Sequence, residues 1–177
     1  MRFVRHNAGQ FHVRADRIGA VGGSSGGHLV ESLGVLDGAG IEDDPDPVNR
    51  ESAKVQCVVA RAAPADLARM RVAEFMGMNP PGPKDRNTVE DRVYREASPL
   101  HHVSPNSAPI LLMHGDADTT VPIEQSEMME KALRAAGVPT HLLRIPGGGH
   151  GPTFAGATNP PDYMGEMVRW LDRYLKQ

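Results

Sequence analysis

Four short apolar runs constrain this chain's fold more than any other feature. They are IGAVGG at 18–23, KVQCVVARA at 54–62, PILLMHG at 109–115 and THLLRIPG at 140–147. Each is nearly continuous rather than alternating, the pattern of a strand buried on both faces. Segments with helical character separate them. Residues 25–36 put Leu29, Val30, Leu33 and Leu36 on one helical face. Residues 64–77 start a helix with Pro64 and Asp66 in its entry turn. Residues 123–137 are amphipathic, with Gly137 as a C-cap, and 163–177 form a final helix. Residues 2–14 read as one short helix before the first strand. The stretch 37–51 is rich in Asp, Gly and Pro and reads as a loop. The stretch 77–108 is loop-rich and holds many of the prolines, which predicts a lid or pocket wall. Strands alternating with helices in this way predict an α/β fold of about four parallel strands with helices on both faces. No repeat and no internal boundary shows, so 1–177 reads as one domain.

Composition removes several function classes. The net charge of −3, with Lys and Arg scattered, gives no electrostatic case for a nucleic-acid partner. Cys57 is the only cysteine, so neither an intrachain disulfide nor a cysteine-based metal site forms. Its apolar setting, VQCVVA, predicts a buried, inert thiol. His101 and His102 are adjacent and point apart in extended chain, without a third ligand. No metal and no cofactor is expected. No stretch approaches the ~18–20 apolar residues of a membrane helix. The first residues, MRFVRHNAGQFHVRADR, lack the apolar core of a signal peptide. The expectation is a cytoplasmic protein without a membrane partner, unless a signal lies upstream of this chain.

In an open parallel sheet, functional residues collect on loops at the carboxyl ends of the strands. After the first run comes Ser24, and after the second Pro64-Ala65-Asp66. After the third come Asp116 and Asp118, and after the fourth His150. A serine, an acid and a histidine thus fall at one sheet edge. A serine hydroxyl is a weak nucleophile and needs an adjacent base. Histidine serves because its ordinary pKa lies near 6.5. A carboxylate holds the imidazole in the right tautomer. Gly22-Gly23-Ser24-Ser25-Gly26 satisfies G-x-S-x-G, in which the serine sits on a strained strand-to-helix turn. The Ser25 N–H then lies at a helix N-terminus, where it can face a developing oxyanion.

DRIGAVGGSSGGHL, SPLHHVSPNSAPILLMHGDADTTVP and GGGHG together resemble the α/β-hydrolase fold. More narrowly, they resemble its esterase/lipase branch near the bacterial feruloyl and acetyl esterases, related to the prolyl-oligopeptidase-type peptidases. The resemblance implies Ser24 as nucleophile, Asp118 as acid and His150 as base. It implies Ser25, with Gly23 beside it, at the oxyanion and substrate position. Asp116 is left to bond the turn backbone. His114 is expected to be structural, and His28 to be packed on its helix. The implied activity is cleavage of a small-molecule ester with a short acyl chain, through an acyl-enzyme. A peptidase or amidase using the same residues, and a non-catalytic protein acting through binding or oligomerisation, are the alternatives.

The family's fold places further strands before the elbow, with an HGGG-type loop that completes the oxyanion hole. Here 23 residues precede Ser24, and no HGG occurs among them. Either a partner chain or another loop is therefore expected to supply the second donor, or the protein is a weak catalyst; one missing donor costs on the order of 100- to 1,000-fold in turnover. ARAAPADL also lacks the aromatic residue that relatives tend to carry before the proline, which alters the pocket wall. Strand 18–23 is left with an open apolar edge, a pairing hazard. A second copy is expected to cover it across a two-fold axis. Light scattering at micromolar concentration checks this: a homodimer is the expected outcome, and a monomer overturns it.

Overall fold

All four apolar runs become strands. They are β1 (Gly19–Gly23), β2 (Cys57–Arg61), β3 (Ile110–Gly115) and β4 (Thr140–Ile145). The computed structural model describes residues 1–70, 76–82, 84 and 87–176. The strands form one sheet in the order β1-β2-β3-β4, and every neighbouring pair is parallel. Parallel neighbours require a crossover between them, so all four carboxyl ends emerge at the same edge. That edge carries Ser24, Arg61, the Asp116–Asp118 turn and the loop to His150.

Helices α1 (Arg2–His6), α2 (Ser25–Val35), α3 (Pro47–Arg50) and α4 (Leu67–Met70) lie in the first part of the chain. Helices α5 (Val89–Ala97), α6 (Glu124–Ala135) and α7 (Tyr163–Leu175) follow, with a 3₁₀ turn at Pro99–His102. The period of two along each strand divides the core into two layers. Ala20, Val58, Ala60, Ile110, Leu112 and Leu142 pack with Val30 and Val35 of α2 and Met129 and Leu133 of α6. On the other face, Cys57, Val59, Leu111, Met113 and Ile145 pack with Trp170 of α7 and with Phe154. Both faces of β2 and β3 are covered, which is why those runs are continuously apolar. The Cys57 thiol is fully buried, and burial pushes it up to about 11.

Three expectations change. The helix expected over 2–14 ends at His6, because Gly9 and a left-handed His12 (φ 53°) fold the chain back. Phe11 then returns over Phe3, their ring centres 6.0 Å apart. The supposed loops hold helices: α3 is capped by the Asp46 carboxylate, and α5 by the Thr88 hydroxyl, which accepts from the Asp91 N–H. Of the helix expected over 64–77, α4 is described, and 71–75 lie outside the described residues.

The third change concerns α2. Leu29 and Leu36 are 64% and 44% exposed, so of the expected face only Val30 is buried, with Leu33 partly buried against the core. Gly27, Glu31, Gly34 and Val35 turn inward beside Val30. A methyl group on Gly27 would stand 2.8 Å from the Ala63 Cβ, and one on Gly34 2.9 Å from Val58. The helix lies too near the sheet for leucine at those positions.

That approach buries Glu31 completely, and neither carboxylate oxygen has a hydrogen-bond partner among the described residues. Burial pushes this carboxyl well above the usual carboxylate range. Below that range both folded and unfolded chains hold the proton. Above it the unfolded chain releases its proton and the folded chain keeps it, so stability falls as pH rises. Replacing Glu31 by Leu should therefore stabilise the protein by roughly 1–3 kcal/mol. Thermal melts at pH 5 and pH 8 should show the gap between Glu31→Leu and wild type widening with pH. A pH-independent gap would mean that the carboxyl does not titrate in this way.

Candidate active site

Ser24 is the residue that joins β1 to α2. Its backbone is left-handed, with φ 54° and ψ −124°, a conformation that costs a non-glycine residue on the order of 1–3 kcal/mol. Neighbouring bonds hold it there. Its N–H donates to the Arg61 carbonyl at 2.8 Å, and its carbonyl accepts the His28 N–H at 3.0 Å. A side chain on Gly22 would collide with the Gly26 carbonyl, whereas one on Gly26 would meet nothing within 4 Å. The first glycine of G-x-S-x-G is thus a steric requirement of the turn, and the second is not.

His150 is carried by a loop tied to the end of β3. Asp116 Oδ1 accepts the Gly147 N–H at 2.7 Å, and Ala117 N–H donates to Gly148 O at 3.0 Å. Gly149 N–H bonds Ala155 O at 2.8 Å and closes the loop on itself. A side chain on Gly115 would run into the Gly148 backbone, so the strand end and the loop touch directly.

These two supports bring Ser24, His150 and Asp118 into one chain of hydrogen bonds. His150 Nε2 lies 3.0 Å from Ser24 Oγ, and Nδ1 lies 2.7 Å from Asp118 Oδ2. The ionised carboxylate only accepts, so Nδ1 carries the proton and Nε2 is left to accept from the serine hydroxyl. Asp118 Oδ1 takes the Thr120 and Val121 N–H groups, both at 2.9 Å. Burial alone would raise this carboxyl; the Val121 N–H, His150 and the Thr120 N–H outweigh it and hold Asp118 below its ordinary value. Behind it sits His114, fully buried. His114 Nε2 donates to Val121 O at 2.8 Å, and its Nδ1 faces Ser126 Oγ at 2.7 Å. Burial keeps His114 below the ordinary histidine pKa, so it backs Asp118 as a neutral group.

Gly23, Ser24, Arg61, Ala62, His150, Gly151 and Pro152 line a cavity of about 370 Å³. Ser25 lies outside that lining, exposed, as the first residue of α2. Its N–H is one of the first-turn groups that have no intrahelical acceptor. Asp66 is not brought to the site; it pairs with Arg69 at 3.3 Å and bonds the Ala68 N–H. None of the described residues of 77–108 lines this cavity. His28 is held by the Pro64 carbonyl at 3.0 Å, and His102 by that of Glu96 at 2.8 Å. Among the described residues, no three His, Cys, Asp or Glu side chains group as metal ligands.

Sequence reasoning missed Arg61. The signal was present, since Arg61 is the last residue of β2 at the functional edge. Residue 61 falls inside the apolar run 54–62, and chemistry is expected on the loop beyond a run rather than within it.

The BD-FAE family model matches residues 1–133 of the chain. Esterase LipC of Mycobacterium tuberculosis is 40% identical over 60 residues, covering 33% of this chain and 15% of LipC. The acetyl ester-xyloside bifunctional hydrolase of Caldicellulosiruptor lactoaceticus superposes with a TM-score of 0.77 at 30% identity, covering 99% of this chain and 60% of that one. The thermophilic esterase Est2 of Thermogutta terrifontis gives a TM-score of 0.69 at 25% identity, covering 98% and 59%. The chain thus spans a small part of the curated relative and about three fifths of these two solved structures. Its four parallel strands and surrounding helices match the C-terminal part of the α/β-hydrolase fold.

The two glycines of the elbow should separate cleanly on substitution. Gly22→Ala should cost about 1–3 kcal/mol or more, because β1 and α2 must move apart. Gly26→Ala should be neutral or stabilising by up to about 1 kcal/mol. Chemical denaturation of both variants checks this; equal effects would contradict the geometry.

Proposed function

The chain belongs to the BD-FAE family, an α/β-hydrolase esterase family, and from that membership we propose that Ser24, His150 and Asp118 form a catalytic triad cleaving short-chain carboxylic esters. The observation that carries this is the unbroken hydrogen-bond chain, 3.0 Å from serine to histidine and 2.7 Å from histidine to aspartate. Ser24 Oγ attacks the acyl carbon while His150 Nε2 takes its proton. The negative charge gathers on the former carbonyl oxygen, facing the Ser25 N–H at the N-terminus of α2. As the ester C–O bond breaks, His150 returns the proton to the departing alcohol oxygen. Water then attacks the acyl-serine, His150 accepts its proton, and the carboxylic acid leaves with Ser24 restored. Asp118 stays ionised throughout, because its hydrogen bonds favour the charged form.

The cavity is small, which favours acetyl and other short acyl groups. The acetyl ester-xyloside hydrolase among the structural neighbours supports the same preference. The proposed partner is a second copy against the open edge of β1, where Val21 is 43% exposed and β2 is the one strand paired with it among the described residues.

A fluorophosphonate probe with peptide mapping tests the mechanism. Labelling should fall on Ser24 and vanish in His150→Ala. Asp118→Asn should lower kcat on p-nitrophenyl acetate by roughly 10⁴-fold, since the wrong histidine tautomer results. No labelling of the wild type would overturn the proposal. Faster cleavage of p-nitroanilides than of matched esters would reassign it to amide substrates.

A further inference from the structure

Arg61 is the cation in the wall of the Ser24 cavity, and the proposed ester hydrolysis does not use it. Its backbone is registered against Gly23, and its side chain runs past that glycine. A methyl group on Gly23 would stand 3.8 Å from Arg61 Nε, an ordinary contact, so the arginine side chain passes directly beside that glycine. One guanidinium nitrogen, Nη1, donates to the Pro152 carbonyl over a long 3.3 Å. Nε is shut off from solvent and has no acceptor among the described residues. No Asp or Glu among the described residues pairs with Arg61.

A guanidinium offers donors in a planar fork that matches a carboxylate in bidentate geometry. Here the guanidinium has no protein anion to hold among the described residues. The guanidinium lies in the cavity wall, and the one hydrogen bond given for it is the 3.3 Å contact to the Pro152 carbonyl. The side of the substrate it meets follows from the proton path. His150 hands its proton to the departing alcohol oxygen, so the alcohol part lies on the His150 side. Pro152, the residue Arg61 touches, is two positions past His150 on the same loop.

We propose that Arg61 selects esters whose alcohol part carries a carboxylate, that is, O-acylated hydroxycarboxylic acids. This rests on reading Ser24 as the ester nucleophile. The reaction is acyl ester plus water giving the carboxylic acid and a free hydroxycarboxylate, with the substrate carboxylate unchanged and bound by Arg61.

The test pairs 4-acetoxybenzoate with the isosteric neutral 4-acetoxybenzamide. In the wild type, kcat/KM should favour the benzoate by roughly 10- to 100-fold, the range of a charge-assisted hydrogen bond. Arg61→Gln should bring that ratio near one, and Arg61→Lys, a point charge without the fork, should keep an intermediate value. A wild-type ratio near one, or an unchanged ratio in Arg61→Gln, overturns the proposal. A second arm needs no turnover: calorimetry compares 4-hydroxybenzoate with 4-hydroxybenzamide on Ser24→Ala, with and without Arg61→Gln. Arg61-dependent preference for the benzoate without hydrolysis of any ester would support the anion site and overturn the hydrolase reading. Hydrolysis of both esters with no preference would overturn the anion site alone.

Discussion

The hydrogen bond from the Ser24 N–H to the Arg61 carbonyl is the contact on which the site depends. It extends the β1–β2 ladder one residue past the end of β1 and pins the serine in a left-handed conformation. α2 must then start at once, and start close to the sheet. Gly22 and Gly27 make that closeness possible, because a side chain at either would strike backbone or Ala63. The same closeness removes Leu29 and Leu36 from the core and buries Glu31 without a partner. The Ser24 turn is thus held at a cost in core quality, which fits the general rule that strain persists only where its surroundings enforce it.

His150 and Asp118 are held by a second set of contacts. Asp116 and Asp118 are two residues apart on one turn, yet their work is different. Asp116 reaches forward to the Gly147 N–H and fixes the histidine loop. Asp118 turns inward, takes two backbone N–H groups and presents its other oxygen to His150. His114 and Ser126 close the space behind it with neutral hydrogen bonds. Among the described residues no Lys or Arg pairs with Asp118; His150 and His114 are the groups beside it. Arg61 shares the cavity with Ser24 and His150 and bonds the Pro152 carbonyl of the histidine loop.

Much of this was legible in the sequence. Four apolar runs became four parallel strands, because a strand covered on both faces has no polar side to show. Gly137 ends α6 at φ 73°, as its position predicted. G-x-S-x-G, the Asp116–Asp118 pair and GGGHG lie at one edge, because parallel strands put every carboxyl end there. The helices within 37–51 and 77–108 were missed, since Asp46 and Thr88 caps are short signals among prolines and charges. The face of α2 was misread because a hydrophobic count gives leucine weight and glycine none. At close approach the preference reverses, and the smallest residues go inward.

The sequence by itself determined the strand set, the parallel order of the chemistry and the residue types at the sheet edge. Those depend on local pattern and on chain direction, both of which are written along the chain. Only the tertiary structure decided how closely Ser24, His150 and Asp118 approach, which face of α2 is buried and that Arg61 shares a cavity with Ser24. Those outcomes depend on distances of a few ångströms between segments up to 126 positions apart, and no local pattern encodes such distances.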